Sequence, residues 1–105
     1  MIEHVVLFQL APGVDDERQD WMMRETRLRL LKIPAVLAVR CGKNIADSDR
    51  WGFFLAVTLE APSRLPAYAD HPIHQKFVEE VIRPNTVDRL AADFETLPGE
   101  DPLFS

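Results

Sequence analysis

The chain has 105 residues, 47% of them hydrophobic and 28% charged. That is the size of one domain with enough apolar side chains for a core, which excludes a disordered segment. A net charge of −5 argues against a nucleic-acid binder, because phosphate recognition needs a basic face.

Ile2 to Leu10 is short, rich in β-branched and aromatic residues, and stopped by Pro12-Gly13, so it predicts a strand and a turn. Both faces are substantially apolar, and both are expected to be covered. Asp15 or Asp16 caps a helix that runs to about Lys32, where Ile33-Pro34 stops it. Met22, Met23, Thr26, Leu30 and Ile33 share one side of that helix; Trp21, Leu28 and Leu31 lie on another. Ala35 to Cys41 is the second expected strand, ending at Gly42-Lys43-Asn44. A polar loop around Asp47 leads into the strongest strand signal, Trp51 to Glu60, whose two faces are both apolar. Ala61-Pro62-Ser63 breaks it, with Ser63 as the cap of a short helix to Tyr68. Asp70 is expected to cap a further helix with His71-Pro72 at its start and Phe77, Val78, Val81 and Ile82 on its apolar side. Arg83-Pro84-Asn85 ends it, and Val87 to Thr96 is the last strand. Residues 97–105 read as a polar tail beyond a domain of residues 1–96.

The order β-α-β-β-α-α-β is the split β-α-β pattern of ferredoxin-like α+β folds, a four-stranded antiparallel sheet with helices on one face. The sheet's other face is apolar too, and a second copy of the chain is the simplest cover, so a homodimer is expected. No apolar run approaches the ~20 residues that span a bilayer. The start Met1-Ile2-Glu3-His4 lacks the basic region of a signal peptide. Cys41 is the only cysteine and reads as a small buried residue; with no intrachain disulfide possible, the expected compartment is the cytoplasm.

The chemistry concentrates where Tyr68, the only tyrosine, is followed by His71-Pro72-Ile73-His74, two of the three histidines. Histidine exchanges protons near neutral pH, and tyrosine offers a hydroxyl at the end of an apolar ring. His74 as a base and Tyr68 as an oxyanion donor are the two parts that an enolisation or aldol step needs. The plainer alternative is that His74 bonds a backbone carbonyl in a packed helix. His71, held extended before Pro72, reads as a helix-start residue. His4 alternates with Ile2, Val6 and Phe8 and reads as a core histidine or a pocket residue. His4, His71 and His74 together would supply three nitrogens to a metal, but metalloprotease-like spacing is absent and no metal or other cofactor is expected. Trp51, Phe53, Phe54 and Phe77 are core, interface or pocket aromatics. Arg40, Lys43 and Arg50 are solvated surface or a meeting point for an anion.

Taken in order, several segments resemble the stress-responsive α/β-barrel (Dabb) family. They are His4-Val5-Val6-Leu7-Phe8, Pro12-Gly13, Ile33-Pro34-Ala35-Val36, Gly42-Lys43-Asn44, Tyr68 with His71-Pro72-Ile73-His74, and Asp93-Phe94. The resemblance implies a dimeric α+β barrel with a cavity between each sheet and its helices. One family activity is the cofactor-free cyclisation of a linear polyketide in plants. There the histidine matching His74 is the base, the tyrosine matching Tyr68 holds a carbonyl oxygen, and the histidine matching His4 lines the pocket. The chain departs from the pattern at Ala35, where glycine is common, in its acidic tail, and in lacking a second pocket histidine around Trp51. Three function classes follow. The first is a cofactor-independent cyclase or isomerase acting on a small hydrophobic carbonyl compound. The second is a non-catalytic ligand-binding or structural dimer, and the third a cofactor-free monooxygenase-like barrel.

Overall fold

The computed structural model describes residues 1–47 and 49–97. Four strands form one antiparallel sheet: β1 (Ile2–Leu10), β2 (Ala38–Lys43), β3 (Phe53–Leu59) and β4 (Thr86–Glu95), in spatial order β2-β3-β1-β4. Between them lie α1 (Asp16–Leu30), α2 (Leu65–Ala69) and α3 (Pro72–Phe77). A π-helical turn (Val78–Ile82) and a 3-10 turn (Arg83–Asn85) join α3 to β4. This is the ferredoxin-like α+β architecture that the pattern predicts. The expected tail beyond Leu97, and with it any crossing to a partner, lies outside the described residues.

Period-two alternation sorts each strand's side chains onto two faces. Val6 and Phe8 of β1, Phe53, Leu55, Val57 and Leu59 of β3, and Val39 of β2 are all buried against the helices. The helix layer answers with Met22 and Leu30 of α1 and with Phe77, Val81 and Ile82. Thr26 is buried among them without cost, because its hydroxyl donates to the Met22 carbonyl at 2.7 Å. Leu28 and Leu31, on the second helix side, stay exposed.

Among the described residues nothing covers the opposite sheet face. The molecule measures 40 × 38 × 20 Å, and its short dimension is the thickness of one helix layer on one sheet. Register places Val5, Leu7, Phe54, Ala56, Leu90, Ala92 and Phe94 together on the open side. Charges edge that patch: Arg40 pairs with Glu3 at 2.8 Å, and Arg50 pairs with Asp88.

Three local expectations need correction. The second strand begins at Ala38 rather than Ala35, because residues 31–36 are spent on turns; Val36 N–H donates to the Ile33 carbonyl at 3.0 Å. Ser63 caps nothing: it lies within a 3-10 turn (Pro62–Arg64) that has no side-chain cap. Asp70 closes α2 instead of opening α3, whose cap is His71.

Candidate functional site

Between β1, β4 and the α2–α3 layer lies a cavity of about 550 Å³. His4, Tyr68 and His74 all line it, so the fold brings the three expected site residues together. The rings of Tyr68 and His74 lie 4.5 Å apart, centre to centre, and the His4 ring meets Tyr68 edge-on at 5.7 Å.

The break between α2 and α3 sets His74. Pro72 disfavours helical geometry in the residue before it, and His71 is extended at φ −65° and ψ 136°. An unbroken helix would give the Ile73 N–H to the Ala69 carbonyl. Here the Ile73 N–H donates to Nδ1 of the His71 ring at 3.1 Å, and the Ala69 carbonyl bonds Nδ1 of His74 at 3.0 Å. A carbonyl only accepts, so Nδ1 of His74 carries the proton and the neutral ring keeps its lone pair on Nε2. Burial foremost pushes the His74 pKa below its usual 6.5; the positive charge of Arg89 acts in the same direction. The ring is therefore neutral at pH 7. His74 thus bonds a backbone carbonyl, as its structural alternative expects, and also lines a cavity, and the bond fixes its tautomer.

Tyr68 is the one buried residue of α2, 2% exposed. Its hydroxyl has no hydrogen-bond partner among the described residues, yet it is not sealed from the cavity. Burial raises its pKa far above the usual 10, so the group stays a protonated donor. His4 is held from the sheet. It stands opposite Asp93 in the β1–β4 register, and its Nδ1 lies 2.6 Å from the Asp93 carboxylate. That bond fixes the ring beside Tyr68.

His71 does not line the cavity, since its ring is turned to its own helix start. Among the described residues no three of His, Cys, Asp and Glu come together as a metal site. Of the four aromatics, Phe77 lines the cavity, Phe53 fills the core and Phe54 lies on the open sheet face. Trp51 lies beneath Arg50, 4.8 Å from its ring centre to the guanidinium carbon. The anion contacts considered for Arg40, Lys43 and Arg50 are not at this cavity. Each is held by a carboxylate: Arg40 by Glu3, Lys43 by Asp20, and Arg50 by Asp88, which itself lies on the cavity lining. Cys41 is half-buried near the Met23 carbonyl, and burial pushes its thiol pKa up. Sequence reasoning missed Asp93 as the partner of His4, and Arg83 and Arg89 as cavity residues. Only the strand register could have found the first, by setting Asp93 beside His4.

Fold and cavity together define a ferredoxin-like α+β domain with a pocket between sheet and helices. The family model of the stress responsive A/B barrel domain (Dabb) matches residues 2–96, and the chain belongs to that family. Among solved structures, a Dabb family protein with a ferredoxin-like fold from Mesorhizobium loti is 22% identical, with a TM-score of 0.77 over 92% of this chain and 97% of that one. A dimeric ferredoxin-like protein of unknown function from Thermobifida fusca is 24% identical, with a TM-score of 0.78 over 90% of each chain. A hydroxynitrile lyase from Passiflora edulis is 13% identical, with a TM-score of 0.75 over 92% of this chain and 96% of that one. These likenesses establish the fold. Among curated proteins, none matches the chain. No helix among the described residues is long and apolar enough to cross a membrane.

Proposed function

We propose that the protein catalyses proton transfer at the carbon beside a carbonyl group, as in an isomerisation or an intramolecular aldol closure. The substrate class is a small, mainly apolar carbonyl compound. One observation carries the reading: a Tyr68 hydroxyl with no partner among the described residues and a neutral, Nδ1-protonated His74 line the same cavity with their rings 4.5 Å apart. Nε2 of His74 takes the α-proton. The C–H electron pair becomes a C=C bond, and the carbonyl π pair moves onto oxygen. The Tyr68 hydroxyl donates a hydrogen bond to that developing oxyanion. His4, anchored by Asp93, braces the tyrosine ring. The enolate then takes a proton back at carbon or attacks a second carbonyl in the same molecule. Both routes return the proton from His74, and neither consumes a co-reactant.

We read the protein as a homodimer. The apolar sheet face, left open by the described residues, supports this, as does the description of the Thermobifida fusca relative as dimeric. A cytoplasmic location fits a chain whose lone Cys41 needs no oxidising compartment. The same fold is shared with a hydroxynitrile lyase, so the frame is compatible with catalysis.

Exchange of the α-hydrogens of butyrophenone in deuterium oxide, followed by proton NMR, tests the chemistry. Wild-type protein is expected to accelerate exchange, and His74→Ala to lose about 100-fold or more of that acceleration while remaining folded. Wild-type exchange no faster than buffer, or unchanged in His74→Ala, would leave a non-catalytic binding dimer as the better reading.

A further inference from the structure

From the charges around the cavity we infer that its ligand is anionic: a keto acid whose carboxylate is held between Arg83 and Arg89. The inference rests on the proposed carbonyl chemistry and names its substrate class. The two guanidiniums approach from opposite layers. Arg83 opens the 3-10 turn after the π-helical turn, on the helix side, while Arg89 stands on β4 opposite Phe8. Both line the same cavity as Tyr68 and His74.

Neither guanidinium has a carboxylate partner among the described residues, although acidic side chains outnumber basic ones by 17 to 12. Glu79 shares a surface pocket with Arg83 but forms no ion pair with it, and three other carboxylates nearby are engaged by different side chains. Asp88 is held by Arg50, Asp93 by His4, and Glu80 by Arg29 at 3.3 Å. The lining thus combines three kinds of group: the apolar Val6, Phe8 and Ile82, the reacting pair Tyr68 and His74, and the two arginines, with Asp88 also on the lining but held by Arg50. A guanidinium is a planar fork that matches a carboxylate in two parallel hydrogen bonds. An uncharged ketone would leave both forks unanswered. A keto acid would set its carbon skeleton against the apolar side chains and place its carboxylate where the charge is needed.

Two probes of equal carbon skeleton separate this inference from the reaction. β-Benzoylpropanoate carries a carboxylate, and butyrophenone carries a methyl group in its place. Affinities for both are read by NMR titration of wild-type protein and of Arg83→Gln, Arg89→Gln and the double variant, with circular dichroism confirming each fold. The wild type is expected to prefer the anion by about tenfold or more, the worth of a charge-assisted hydrogen bond. The double variant is expected to bring that ratio close to one. Added salt should weaken the preference in the wild type alone. Equal affinities in the wild type, or a preference that survives in the double variant, would overturn the inference. Hydrogen exchange on the same probes reports separately on His74. Arginine-dependent binding without exchange leaves the anion site standing and removes the reaction. His74-dependent exchange of butyrophenone without preference for the anion does the reverse.

Discussion

At His74 one hydrogen bond sets the tautomer and favours the proton, while burial opposes the charge and outweighs it. The Ala69 carbonyl holds the Nδ1 proton, and burial keeps the ring uncharged. Folding therefore resists protonation at this residue. Above about pH 6.5, the usual histidine pKa, His74 is neutral in folded and unfolded chains alike and takes nothing from stability. As pH falls through 6.5, the unfolded chain binds the proton first, so stability drops until the lowered folded-state pKa is reached. The melting temperature should fall between about pH 7 and pH 5, and His74→Gln should flatten that part of the curve. A variant whose melting curve keeps the full wild-type pH dependence would show that other groups cause it.

At the scale of elements, the feature that makes the site is an interruption. A continuous helix from Leu65 to Phe77 would engage the Ala69 carbonyl with the Ile73 N–H. Pro72 and the His71 ring divert that bond and leave the carbonyl to His74. His71→Ala should lower stability by about 1 kcal/mol, the usual cost of losing a helix cap, and His71→Asn should restore most of it. Chemical denaturation reads the difference; an alanine variant as stable as wild type would mean the ring's bond to Ile73 contributes nothing net. The interruption was legible in sequence as Asp70-His71-Pro72, but the cap was placed one residue early. Both Asp70 and His71 are chemically able to cap, and only backbone geometry decides between them: Asp70 is helical at ψ −4° and His71 is extended.

For the whole molecule, the open sheet face is the dominant unsatisfied feature. Leu90 and Phe94 of β4 are each more than half exposed, beside Leu7, Phe54 and Ala56. A patch of this composition, rimmed by ion pairs, has the anatomy of an interface. Leu7 stands in its middle, between Phe54 and Leu90. In the proposed homodimer, Leu7→Lys buries two like charges against each other, and sedimentation should find a folded monomer. A variant that sediments as a dimer would move the interface to another face.

The sequence by itself determined what depends on local order and alternation. Period-two patterns marked the four strands, Pro and Gly marked their ends, and the element order selected the ferredoxin-like topology. It also singled out Tyr68, His74 and His4 by residue type and by resemblance. Tertiary structure alone decided what those residues can do. Asp93 lies 89 positions from His4 in the chain and meets it only through β1–β4 pairing. Arg83 and Arg89 join the cavity only because the turns after α3 bring β4 back beside β1. The protonation states of Tyr68 and His74 follow from burial, which is a property of the packed core. Sequence spacing encodes hydrogen bonds between near neighbours, whereas desolvation and cross-sheet pairing arise only once distant segments exclude water together.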